Sequence, residues 1–314
     1  MFTRLYRECI DSKAVFEYKG MLHRAGALYD ASDFQDGVNA IVDFKYSTSP
    51  RVTWWFDHHE SAFMTEEDRA HFEKITGSSD TASAARTMFY DPTYKSCTKL
   101  LATVGESHFG MNLQPVAELV HWADIIDGAA YKSAEFAVGL SEPAMKITMV
   151  LEATTEPGFA PKLIPLLATL PLDEVLAHPL IATRLQPLLD RHQRSIEILR
   201  KTSVCEEGTI FFDVSEYDLE GYNKFVPYYL HPESIYSVGL SRSSFRVKVS
   251  VGSNPWAKAE NMTNLAKICE RYGGGGHSKV GAISFPPDAW EEAKKASDEI
   301  VRELREYAKA HHNR

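Results

Sequence analysis

The sequence predicts an α/β protein in two parts: a parallel-sheet domain over residues 1–185, a linker helix over 186–203 and a smaller α+β domain over 204–314. Three observations carry this reading. The short apolar runs Asn39–Phe44 and Val52–Phe56 are separated by polar punctuation and followed by helical patterns, as expected of strands joined by crossovers. Leu185, Leu188, Leu189, His192, Ile196 and Leu199 make a long stripe at helical spacing, suited to a linker. Beyond it, Val247, Val249 and Val251 alternate as one face of a strand. A chain of 314 residues is also longer than one core comfortably serves.

The elements follow in order. Phe2, Leu5, Tyr6, Cys9 and Ile10 form one apolar helical face that starts without a Ser, Asp or Asn cap. Ala14–Tyr18 reads as a strand, then Asn39–Phe44 after Gly37, then Val52–Phe56. Ser96–Val104 and Leu113–Ile126 are helical, the second placing Val116, Leu119, Val120, Ala123 and Ile126 on one side with Asp127 at its end. Pro-punctuated helices fill 143–202. Thr209–Val214, Ile235–Leu240, Phe245–Val251 and Val280–Phe285 read as strands, with a helix over Ala257–Tyr272 and a closing amphipathic helix from Trp290. Trp54 and Trp55 point to opposite faces of one strand, so both are expected in the core.

A composition of 44% hydrophobic and 25% charged residues excludes a disordered or low-complexity chain. The net charge of −9 disfavours non-specific wrapping of nucleic acid, which needs many cationic phosphate contacts. Cys9, Cys97, Cys205 and Cys269 lie far apart with no paired spacing, which gives neither a zinc motif nor a disulfide framework and fits a reducing cytoplasm. No apolar run reaches the roughly 18 residues of a membrane span, so a membrane is not an expected partner.

The chemistry concentrates at strand and helix ends. Asp57, His58 and His59 terminate the Val52–Phe56 run, Asp43 ends the preceding strand and Asp127 ends a helix. Carboxylates with one or two imidazoles suit Mn²⁺ or Mg²⁺, and ligands at the carboxyl ends of parallel strands converge on one crevice. Asp43 taken alone reads better as a turn residue or helix cap. Far downstream, Gly273-Gly274-Gly275-Gly276-His277 offers bare backbone N–H groups that can cradle an anion, beside one imidazole. A plain connector seldom needs four glycines, each costing about 1 kcal/mol of order relative to Ala in a regular element. Trp256, in a Gly-Ser-Asn-Pro-Trp turn, is the tryptophan best placed to stack on a ligand.

In these motifs the sequence resembles the DHH/DHHA1 phosphoesterases over most of its length. Asp57-His58-His59 stands in place of the DHH motif, Asp43 in Ile-Val-Asp-Phe matches the aspartate before it, and Asp127 in Ile-Ile-Asp-Gly matches a later one, with Asp124 as a second candidate for that place. Gly273 to His277 with Val280-Gly281-Ala282 matches the glycine-rich DHHA1 signature. The resemblance implies a parallel-sheet DHH domain joined to a DHHA1 domain, with Asp43, Asp57, His58 and Asp127 around Mn²⁺ or Mg²⁺. Asp57, His58 and His59 would act in catalysis, while Gly274, Gly275, Gly276 and His277 hold substrate. It further implies hydrolysis of short oligonucleotides or small nucleotides, and a homodimer as one assembly.

The family's opening Asp-x-Asp turn has no counterpart here, and the first helix begins at the start of the sequence. The expectation is a DHH domain short of its first strand, two cations in a full relative and one here, and weak or absent hydrolysis. A catalytically impaired nucleotide-binding protein that keeps the glycine pocket is the competing expectation. Gly252 also stands where many relatives carry arginine, so substrate choice does not transfer from any one subgroup.

Overall fold

Val52–Asp57 (β2) is apolar on both faces, and the structure, a computed structural model, makes it the middle of a three-stranded sheet with Asn39–Val42 (β1) and Met88–Tyr90 (β3), all parallel. The residues described are 1–21, 28–77, 87–217, 219, 221–259 and 261–312. Alternation along β2 sends Trp54 and Phe56 to one face and Trp55 to the other. On the first face they meet Leu5 of α1 (Phe2–Cys9) and Leu100, Leu101 and Val104, which lie on a later helix (Cys97–Phe109). On the second, Trp55 packs with Ile41, Tyr46 and Met88, and its ring contacts Phe63 and Phe72, the latter on α2 (Glu66–Gly77). Both tryptophans are therefore core residues, as the alternation requires.

The helix Cys97–Phe109 is α3, capped by Ser96, whose side chain accepts from the Lys99 amide, and ended by Gly110 in the left-handed region. After it come α4 (Ala117–Asp127), α5 (Ala134–Gly139), α6 (Pro143–Ala153), α7 (Phe159–Thr169), α8 (Leu172–Ala177) and the long α9 (Pro179–Thr202). One compact unit comprises Met1–Ala130 with Glu142–Thr183; the other comprises Tyr131–Ser141 with Arg184–Arg314. These limits differ from 1–185, 186–203 and 204–314: residues 131–141 join the second unit, and the linker helix starts at Pro179 rather than 186.

The second unit holds a six-stranded mixed sheet built from β4 (Ser203–Glu206), β5 (Thr209–Asp213), β6 (Tyr236–Arg242), β7 (Val247–Ser253), β8 (Gly275–His277) and β9 (Val280–Phe285), in the order β4-β5-β6-β7-β9-β8. Between β5 and β6 lies α10 (Val226–Leu230), before β8 α11 (Leu265–Glu270), and α12 (Trp290–His312) closes the unit. Val247, Val249 and Val251 face a core shared with Leu265, Ile300 and Leu304. The fold is thus α/β, a parallel sheet with helices followed by an α+β body, as expected.

Two elements depart from expectation. Ala14–Tyr18 forms no strand; Phe16 and Tyr18 stack on each other and Phe16 packs edge-on against Tyr6 of α1, so the alternating aromatics serve a helix and not a sheet. The helix expected over 257–272 is only α11, because Asn264 caps it by accepting from the Lys267 amide and Asn261 sits at φ 56°. No helix among the described residues is long and apolar enough to cross a membrane.

Candidate metal centre

Parallel pairing brings the carboxyl ends of β1, β2 and β3 side by side, and three aspartates mark them. Asp43 follows β1, its amide donating to Phe56 O (2.8 Å) while its backbone turns into the left-handed region at φ 59°. Such a backbone is uncommon for a non-glycine residue, though Asp tolerates it better than most. Asp57 ends β2, and Asp91 follows β3, donating its amide to Asp57 O (3.3 Å). The turn that begins at Asp91 presents the Tyr94 carbonyl to His58 Nδ1 at 3.0 Å. From the other direction, α4 delivers Asp127 at its last residue.

The imidazole of His58 lies between them. Its Nε2 is 3.3 Å from Asp43 Oδ1 and 3.4 Å from Asp127 Oδ2, yet this buried atom has no hydrogen-bond partner among the described residues. A carbonyl oxygen only accepts, so Nδ1 carries the proton that Tyr94 receives, which leaves Nε2 as the atom turned toward the two carboxylates. Two carboxylates and an imidazole nitrogen gathered this closely call for a positive charge between them, supplied by a proton on Nε2 or by a metal ion. A backbone carbonyl on the far nitrogen is also what fixes an imidazole as a metal ligand. The donor set of two carboxylates and one imidazole fits Mn²⁺, and less closely Mg²⁺.

Asp57 is fully buried and serves its neighbours. Its Oδ1 accepts from the His58 amide (2.7 Å), the His59 amide (3.1 Å) and His59 Nδ1 (2.7 Å), which sets the tautomer of His59 and leaves Nε2 of that half-exposed ring for other work. The second oxygen, Oδ2, is buried and has no hydrogen-bond partner among the described residues. Asp43 Oδ1 is 3.8 Å from His59 Nδ1, so Asp43, His58 and His59 form one tight group. Burial, and then the Asp43 carboxylate, push the Asp127 carboxyl above its ordinary range, while His58 and His59 pull it down.

Asp127 and Asp124, the first and the weaker candidate in the sequence, are told apart by their partners. Ser96 Oγ donates to Asp124 Oδ1 (3.1 Å), tying α4 to the start of α3, whereas Asp127 faces His58. Gly128 permits this approach: a Cβ there would lie 2.9 Å from Asp124 O and 3.1 Å from Lys95 Cβ. The Tyr94 carbonyl and Ser96 carry no sequence signal for these roles.

In the second unit the glycine run is partly a strand. Gly275–His277 pairs antiparallel with Val280–Ala282. A Cβ on Gly274 would meet Ala282 O at 2.3 Å and one on Gly276 would meet Val280 O at 2.2 Å, so these two are glycines because β9 approaches so closely. No described residue comes within 4 Å of a Cβ on Gly275, and His277 is exposed. Trp256, expected to meet a ligand, is engaged within the unit: its indole N–H donates to Tyr131 O (2.8 Å) and its ring packs edge-on to Phe225.

Three parallel strands with Asp43, Asp57 and Asp91 at their carboxyl ends, followed by a glycine-bearing α+β body, give the chain a fold that it shares with a solved phosphodiesterase. No protein-family model and no curated protein matches the sequence. Among solved structures, the chain is similar to the pGpG-specific phosphodiesterase PggH from Vibrio cholerae, with a TM-score of 0.63 and 17% identity over 88% of this chain and 90% of that one. An exopolyphosphatase-related protein from Bacteroides fragilis gives a TM-score of 0.43 and 14% identity over 87% and 73% of the two chains. The shared fold is read from the first.

Proposed function

We propose that the chain is a metal-dependent phosphoesterase acting on short oligonucleotides or small nucleotides. The observation that carries this reading is the buried Nε2 of His58, aimed at Asp43 and Asp127 and held there by the Tyr94 carbonyl. A Mn²⁺ or Mg²⁺ ion held by Asp43, His58 and Asp127 supplies Lewis acidity toward a phosphoryl group and toward water. Asp57 keeps the Nδ1 proton of His59 fixed, so His59 Nε2 is free to exchange a proton with a phosphate oxygen or a leaving group. In the second unit, the backbone at Gly275 and the exposed His277 offer donors to an anion, with Gly274 and Gly276 shaping the strand that carries them. The fold shared with a pGpG-specific phosphodiesterase and the chain's net charge of −9 favour a short substrate over long nucleic acid.

The test is a panel of dinucleotides, short RNAs, adenosine bisphosphate, cyclic dinucleotides and polyphosphate, assayed with Mn²⁺ on the chain and on His58→Ala. Turnover of a short phosphodiester that disappears in the variant supports the proposal; equal turnover in both sinks it. One observation favours the second reading, a nucleotide-binding protein with impaired hydrolysis: the gathered donors Asp43, His58 and Asp127 serve one cation and not two. Nucleotide binding without turnover, and without any Mn²⁺ bound at this centre, would decide for it.

A further inference from the structure

A second cluster of ligand atoms stands apart from the strand-end aspartates, within the second unit. Cys205, His231 and Glu233 each place one donor atom within 4.8 Å of the other two. We infer that these three residues form a separate cation site, suited to a borderline-soft divalent ion such as zinc, that clamps the edge strand β4 to the turn after α10.

The donor set decides the ion class. A thiolate, an imidazole and a carboxylate together suit zinc, whereas Mg²⁺ favours an all-oxygen shell. Zinc bonds of roughly 2.0–2.3 Å in a tetrahedron put ligand atoms roughly 3.3–3.8 Å apart. The distance from His231 Nδ1 to Glu233 Oε1 is 3.7 Å, already in that range, and the glutamate side chain is 64% exposed. Three protein ligands leave a fourth position for solvent or another group.

The frame that holds the ligands is built. Ser203 and Cys205 share one face of β4, whose register against β5 pairs Ser203 with Phe212 and Cys205 with Ile210. Ser203 Oγ is 2.9 Å from His231 Nε2. When Nε2–H donates to that hydroxyl, Nδ1 keeps its lone pair toward Glu233, the same logic by which Tyr94 orients His58. The turn carrying Glu233 is pinned on both sides: buried Asn254 donates from Nδ2 to Ser234 O (2.8 Å) and Pro232 O (3.4 Å), and the Ser234 amide donates to His231 O (3.1 Å). Burial and the adjacent Glu233 push the Cys205 thiol up to about 11. A cation bound there would take the place of the thiol proton, since a coordinating thiol is deprotonated.

Cobalt(II) is the probe, because a cysteine ligand gives it a thiolate-to-metal charge-transfer absorption that oxygen and imidazole ligands do not. The full chain carrying Asp43→Asn and His58→Ala, which removes the strand-end donors, is expected to develop this absorption with saturation at one equivalent. Cys205→Ser in the same background is expected to abolish it, and zinc to displace it. Absence of the absorption, or its survival in Cys205→Ser, would overturn the assignment. Should Cys205→Ser fail to fold, alkylation of the unaltered chain decides: zinc is expected to slow labelling of Cys205 severalfold while Cys9 reacts as before, and unslowed labelling of Cys205 would overturn it equally.

Discussion

His58 is held from both sides, and each side makes a separate prediction. His58→Ala removes the nitrogen donor between Asp43 and Asp127, and calorimetric titration with Mn²⁺ is expected to lose the strand-end binding event. Asp57→Asn removes a buried charge that accepts from two amides and one imidazole, and hydrogen bonds to a charged group contribute about 1.5–3 kcal/mol each. Chemical denaturation of the metal-free protein is expected to show a loss of at least that size, together with weaker Mn²⁺ binding as His58 and His59 lose their common anchor. Much of this group is legible in the sequence, because acid and imidazole at the end of an apolar run stand out by residue type alone. What is illegible is the orienting partner: every residue has a carbonyl, and nothing in the letters at Tyr94 says that its own faces an imidazole 36 positions away. The preference for Asp127 over Asp124 is likewise weak in the sequence, since both lie on one helix a single turn apart and Ser96, brought in by α3, separates their roles.

At the scale of elements, the glycine run divides into two kinds of position. Gly274→Ala and Gly276→Ala each drive a methyl into the β9 backbone and are expected to cost about 1–3 kcal/mol by overpacking, measured as a shift in the denaturation midpoint. Gly275→Ala meets open space and is expected to change stability by no more than about 0.5 kcal/mol. If the backbone at that position approaches an anionic substrate, the same substitution is expected to raise KM with kcat little changed. Equal KM values would show that Gly275 is a hairpin residue only. The strands and the closing helix are readable because their apolar period is long and regular, as at Val247, Val249 and Val251. Ala14–Tyr18 misleads because aromatic alternation over five residues looks the same whether it faces a sheet or a helix. The start of α11 is set by a single cap at Asn264, a local signal outweighed by the broader apolar pattern upstream.

For the whole molecule, a cation held at the proposed centre would tie metal binding to folding. A ligand that binds only the folded chain stabilises it by about 2.7 kcal/mol at a hundredfold excess over its Kd. Saturating Mn²⁺ is expected to raise the thermal midpoint by several degrees and EDTA to reverse the rise, with the Mn²⁺ effect absent from His58→Ala. A two-part organisation is readable from composition and from the stripe on α9, but residues 131–141 are not assignable by reading along the chain. Their place in the second unit rests on three backbone carbonyls taken up by distant side chains: Tyr131 O by Trp256 Nε1, Ala137 O by Asn223 Nδ2 and Val138 O by His192 Nε2. The polypeptide therefore passes from one unit to the other at 130/131, 141/142 and 183/184. Dissecting the gene at 183/184 would strand that short excursion with the wrong fragment, leaving three acceptors without their donors in one product and an indole, an amide and an imidazole without their acceptors in the other.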